Sequence, residues 1–172
     1  MAIDFSKLSL QDALDLAILI EEEAKERYEE FSKLVGGRYQ GDADDAFREM
    51  AKNEARHGEE LAERRKKLFK GAKRRVDRSM LDDVEAPDRG KPRVFMSPRE
   101  AFEVALESEQ KAYDFFAEAL KHVKDRGVKK LFEELKGEEK KHQEWLRRKI
   151  KKLPPGPDVE ESAADEPGSD AG

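Results

Sequence analysis

The chain predicts an all-α four-helix bundle, on three observations. Four long stretches carry apolar residues at helical spacing. Glu, Lys, Arg and Ala, all good helix formers, are abundant, and 44% of the residues are charged. The first half of the helical region also recurs in the second half. At 172 residues the chain has the size of one domain with a real core, and nine Phe, three Tyr and one Trp argue against wholesale disorder.

The first helix is expected over residues 9–35, with Ser9 as its cap, Asp12 at the capping-box position and Gly36-Gly37 as its stop. The second covers 42–70, with a basic last turn and Gly71 behind it. The third opens on Ser97-Pro98-Arg99-Glu100, a capping box with proline at the first helical position, and runs to about 123. The fourth spans 125–152, ahead of Pro154-Pro155. Short connections make helices one and two, and three and four, antiparallel hairpins. The link at 71–96, with Pro87, Gly90 and Pro92, is too long for a turn; a crossover down the bundle explains it. Residues 1–153 thus form one domain. Residues 154–172 read as a disordered acidic tail, with six acids and neither Lys nor Arg.

That tail carries the acidity, and the body ahead of it is close to neutral, so nucleic acid is not an implied partner. Without cysteine there are no disulfides, thiolate zinc sites, iron–sulfur clusters or cysteine nucleophiles. The apolar stretch Leu8 to Ile20 is interrupted by Asp12 and Asp15, which fits neither a signal-peptide core nor a membrane span. A soluble, cytoplasmic protein is expected, with no membrane partner.

The hairpins are repeats. At an offset of 88, Ser9, Ala13, Ala17, Glu21, Ala24, Glu30, Lys33 and Val35 match Ser97, Ala101, Ala105, Glu109, Ala112, Glu118, Lys121 and Val123. At an offset of 85, Phe47, Glu49, Glu54, His57, Glu59 and Leu61 match Phe132, Glu134, Glu139, His142, Glu144 and Leu146. Every core-facing stripe is broken at mid-helix: by Glu21 in helix one, Glu54 and His57 in helix two, Glu109 in helix three, and Glu139 and His142 in helix four. Unpaired carboxylates in a core cost several kcal/mol each, and no Lys or Arg occupies an adjacent stripe position. Two divalent cations would neutralise the four acids, with two imidazoles completing the donors. Glu and His three apart on a helix point the same way and can chelate. Glu-x-x-His alone is a weak signal; its mid-stripe register in both repeats makes it strong. His122 lies off the stripe near a helix end, as a surface residue, and Glu22, Glu23, Glu59 and Glu138 belong to solvated faces.

These segments resemble the ferritin-like superfamily and, within it, the rubrerythrins. The resemblance covers about residues 9–152 and rests on Glu21-Glu22-Glu23-Ala24-Lys25-Glu26-Arg27-Tyr28, Glu54-Ala55-Arg56-His57, Glu109-Gln110-Lys111-Ala112 and Glu139-Lys140-Lys141-His142. The known template is one Glu from each of two helices and Glu-x-x-His from each of the other two. It implies that Glu21 and Glu109 each bind one metal, that Glu54 and Glu139 bridge the pair, and that His57 and His142 each bind one. Tyr28, two turns from Glu21, resembles the tyrosine that stands behind such ligands, or is a core aromatic. Two departures stand out. Rubrerythrins usually carry a further glutamate where this chain has Ala112, and a cysteine-rich rubredoxin domain for which there is no cysteine here. The six-residue set also resembles a bacterioferritin ferroxidase centre. The implied cofactors are two iron ions, with Mn or Zn able to occupy such donors. The implied activity is oxidation of Fe(II) by O2 or H2O2, with electrons from an external rubredoxin-type protein or reductase, in a homodimer. Sequestration of iron or manganese without turnover, and a structural bundle with a polar core, are the alternatives.

Overall fold

Ser9 accepts a hydrogen bond from the Asp12 amide at 3.1 Å and starts α1 (Leu10–Val35), which ends at Gly36 in the left-handed region, φ 59°. Asp42 precedes α2 (Ala43–Phe69). The Ser97–Glu100 capping box closes reciprocally at the head of α3 (Pro98–Leu120), and the Asp125 carboxylate caps α4 (Arg126–Lys152) through the Val128 amide at 2.9 Å. The computed structural model describes residues 3–36, 41–81, 84–93 and 96–154, and among these there are four α-helices and no strands. Gly37 and the acidic tail beyond Pro154 lie outside the described residues.

The helix ends depart from expectation at two places. α3 stops at Leu120 rather than 123, because the amides of His122 and Val123 both turn back to the Ala119 carbonyl at 3.0 Å and tighten the last turn. α2 is terminated by Lys70, itself at φ 49°, rather than by Gly71. Arg65 holds that turn: it donates to the carbonyls of Lys70 (3.1 Å) and Ala72 (2.6 Å). Two short 3-10 turns, Phe5–Lys7 and Arg78–Met80, begin at Asp4 and Asp77, each accepting from an amide two residues on.

Arg65 also answers the acid that interrupts the apolar start of α1. Asp15 is fully buried, and the Arg65 fork meets both of its oxygens, at 2.8 and 3.2 Å. Replacing Arg65 with Met leaves that acid buried without its fork and frees the Lys70 turn. The expected loss is about 3–5 kcal/mol, read as a lower urea midpoint at unchanged slope. A change below 1 kcal/mol contradicts this pairing.

The two hairpins, α1 with α2 and α3 with α4, provide most of the helix packing, and α2–α3 and α1–α4 contacts close the bundle. The crossover climbs along α1 from its first turns to its last. Gln11 donates to the Lys73 carbonyl, Arg75 pairs with Asp12, Arg78 with Glu26, Arg27 with the Pro87 carbonyl, and Arg89 with Glu30. Inside, the apolar residues form two clusters. One gathers Ala13–Ile20, Leu61, Ala112–Ala119 and Val128–Leu135; the other gathers Ala24–Val35, Ala43–Ala51, Ala101–Ala105 and Leu146. The boundary falls where the four stripes break, so the middle of the bundle is a polar layer between two greasy ends. No described helix is long and apolar enough to cross a membrane.

Candidate metal centre

Apolar residues on either side lock each helix in register, and that lock aims the mid-helix acids inward. Glu21, Glu54, Glu109 and Glu139 are 5%, 1%, 1% and 2% exposed, so all four have left water. They arrive as two equivalent half-sites. Donor atoms of Glu21, Glu54 and His57 lie within 4.8 Å of one another, and those of Glu109, Glu139 and His142 do the same. In the first half-site, His57 Nδ1 is 3.8 Å from Glu21 Oε2 and 3.7 Å from Glu54 Oε2. In the second, His142 Nδ1 is 3.1 Å from Glu109 Oε2 and 3.6 Å from Glu139 Oε2. The two imidazoles stack face to face at 4.4 Å and 6° where the repeats meet. All six sequence-predicted ligand positions therefore converge in one layer. His122 is apart from it, exposed and hydrogen-bonded to Glu118 at 3.2 Å.

The donors are poorly served by protein. Among the described residues, Glu21 Oε2, both oxygens of Glu54, Glu139 Oε2 and His57 Nδ1 are buried without a hydrogen-bond partner. Native interiors rarely leave such groups unpaired. The electrostatics agree. Burial first, and the negative neighbours Glu54, Glu139 and Glu109 next, hold the Glu21 carboxyl well above the usual range. Burial does the same for Glu109, and it pushes Glu139 up to about 7. Burial opposes ionisation of Glu54 as well, but His57 and Glu21 outweigh it and hold that carboxyl below its ordinary value. The His142 ring is held above its usual value by Glu109, against the effect of burial. A layer of buried acids that holds protons, with unpartnered oxygens beside two imidazoles, is the donor set a pair of divalent cations would satisfy.

Two clefts reach this layer from the α2/α4 side. One, of about 560 Å³, is lined by Glu54, His57, Glu109, His142 and Trp145; the other, of about 290 Å³, by Glu21, His57, Leu61, Leu135, Glu139 and His142. Small molecules thus have a route to both half-sites, past the edges of the histidine pair. Tyr28 is fully buried in the apolar cluster beyond Glu21, with its ring 6.1 Å from Phe47. Burial, then Glu109 and Glu54, raise its phenol well above the ordinary value, so it is a neutral hydroxyl beside the acids.

The structure adds one acid that helical periodicity could not find. Glu85, in the crossover, is 2% exposed, both of its oxygens lack a hydrogen-bond partner among the described residues, and it groups with Glu54 and Glu109 within 4.8 Å. The available signal was compositional: Val84-Glu85-Ala86-Pro87 places a single acid among small apolar residues in an otherwise charged link.

A family model described as Rubrerythrin matches residues 12–150, with a second match over 100–166. Among curated proteins, none matches the chain. Among solved structures, an uncharacterised conserved protein from Magnetospirillum magnetotacticum MS-1 is 27% identical, covers 87% of this chain and 98% of its own, and superposes with a TM-score of 0.65. Rhodobacter capsulatus bacterioferritin, described with a metal-free dinuclear site and a haem iron, is 23% identical over 83% of each chain, with a TM-score of 0.54. A dodecameric thioferritin from Bacteroides fragilis is 22% identical over 83% of this chain and 84% of that one, with a TM-score of 0.50. The bundle is thus the ferritin-like one, and with a family match that spans most of its length the chain belongs to the rubrerythrin family.

Proposed function

We propose that the protein is a di-iron oxidoreductase of the ferroxidase or peroxidase kind. Glu21, Glu54 and His57 hold one ion, Glu109, Glu139 and His142 hold the other, and Glu54 and Glu139 span the two. The observation that carries this reading is the pair of Glu/Glu/His half-sites converging in one buried layer, with carboxylate oxygens that have no hydrogen-bond partner among the described residues. When bound, a pair of Fe(II) ions supplies the two electrons that O2 or H2O2 takes in its first reduction.

The protein's own groups do the rest. The layer is dry and fixed from both ends by apolar packing, so the donors need little reorganisation. The clefts beside His57 and His142 admit a small oxidant. In the metal-free layer Glu139, with its carboxyl pushed up to about 7 by burial, holds a proton that a bound cation would displace. No cysteine is present to bind an electron-returning iron, so repeated turnover relies on a separate rubredoxin-type protein or reductase. Self-association, at least to a homodimer, belongs to the same proposal; the similar Bacteroides fragilis protein is dodecameric. The cytoplasm is the proposed location.

The test is stopped-flow absorbance of protein loaded anaerobically with two equivalents of Fe(II), mixed with O2 or H2O2. A fast single oxidation is expected with at least one of them, followed by slow turnover that an added rubredoxin-type donor accelerates. A diferrous form inert to both oxidants removes the enzyme reading and leaves metal holding in its place.

A further inference from the structure

Glu85 has no counterpart in the repeat, because the chain has only one crossover. It reaches the polar layer from a segment that is pinned on both sides. Arg27, buried on α1, donates to the Pro87 carbonyl at 2.7 Å, and Lys111 on α3 donates to the Ala86 carbonyl at 2.7 Å. Those two cations, from α1 and α3, grip the two carbonyls that directly follow Glu85, whose carboxylate oxygens have no hydrogen bond among the described residues. Ala24 and Ala112, one turn beyond Glu21 and Glu109, are both fully buried, one in each apolar cluster.

Two kinds of buried acid are therefore present. Asp15 is fully buried and met by the Arg65 fork, which is how a structural acid is accommodated. Glu85 is as deeply buried, with no such partner among the described residues, and it groups within 4.8 Å with two other carboxylates, Glu54 and Glu109. Three ionised carboxylates brought together in a buried layer repel one another, and either protons or a cation must offset them.

We propose that Glu85 is a seventh metal ligand, delivered by the crossover to the ion held by Glu109, Glu139 and His142. The assignment to that ion follows from its company. Glu109 belongs to the second half-site, whereas Glu54 is the carboxylate proposed above to span both ions. The inference rests on the di-metal reading above. It breaks the twofold equivalence that the repeated hairpins otherwise impose, since one ion gains a donor and the other does not. A fifth carboxylate also exceeds the charge of two divalent ions by one, so the second position favours a trivalent ion.

The test is anaerobic titration of the full chain with Co(II), followed by calorimetry and by the visible cobalt spectrum, alongside Glu85→Gln and thermal melts of both metal-free proteins. Wild type is expected to bind two Co(II) with unequal affinity. E85Q is expected to lose tenfold or more at one ion, with a changed cobalt spectrum, to keep the other within about twofold, and to melt without metal no lower than wild type. Wild type binding two Co(II) and E85Q giving the same isotherm and spectrum overturns the role of Glu85 alone. Metal-free E85Q melting several degrees lower, with both ions weakened alike, also overturns it, by making Glu85 a support for the crossover. Wild type binding no Co(II) overturns the metal centre and this inference together.

Discussion

Glu54→Ala is expected to empty both metal positions, and Glu139→Ala to do nearly the same, whereas Glu21→Ala should release one ion and retain the other. Glu54 groups with Glu21 and His57 on one side and with Glu85 and Glu109 on the other, each set within 4.8 Å, so it stands between the two half-sites. Neither oxygen has a protein partner among the described residues to fall back on. Removing one partner of a buried charge pair costs about 3–5 kcal/mol, which is at least about a hundredfold in affinity at each ion that loses it. Glu21 belongs to a single donor group, with His57 and Glu54, so its loss should be felt at one ion. The measurement is metal content after anaerobic loading with Fe(II) and desalting. The variants should remain helical, because each truncation relieves the metal-free layer of a buried acid. Equal loss of one ion from all three variants would contradict the bridging assignment.

This prediction draws on residues that were legible in the sequence, and the reason is periodicity. A stripe repeats over seven turns, so one acid out of character in each of four stripes stands out against many agreeing positions. The repeat then pairs Glu21 with Glu109, and His57 with His142, from the sequence alone. Glu85 was not legible for the opposite reason. The crossover has no period, and its position is set by contacts such as Arg27 with Pro87, 60 residues apart in sequence. Arg27 is 3% exposed because the crossover passes over it. Asp15 read as an interruption in an apolar run; its meaning came only with Arg65, half a hairpin away. The end of α3 was misplaced by three residues because Val123 is apolar and buried while its amide already belongs to the turn.

Removing the metals should cost the protein much of its stability, and the loss should grow as pH rises. A ligand held at a thousandfold excess over its dissociation constant adds about 4 kcal/mol per site. Two sites give about 8 kcal/mol, or a shift in melting temperature of roughly 15–30 °C for a domain of this size. The pH dependence follows from the acids. In the metal-free protein Glu139 is pushed up to about 7, so between pH 4.5 and 7 the folded state keeps a proton that the unfolded chain releases. The folded state binds more protons in that window, and its stability therefore falls as pH rises through it, by on the order of 3 kcal/mol from this group. Glu21, Glu85 and Glu109 are also held well above their ordinary values, chiefly by burial, and add to the decline. His142, raised by Glu109 against burial, acts in the same direction. The acids held low by surface partners, such as Glu26 beside Arg78 and Glu100 at its cap, lose their contribution only as pH drops below their ordinary values, so they do not mask the trend. Bound cations replace those protons, so the loaded protein should hold its melting temperature from pH 6 to 8 while the metal-free protein declines. Parallel melts in EDTA and in excess Mn(II), from pH 5 to 8, measure the gap directly. It should widen with pH, and a metal-free midpoint that climbs between pH 5 and 7 would mean that the buried acids are already neutralised by something other than protons or metal.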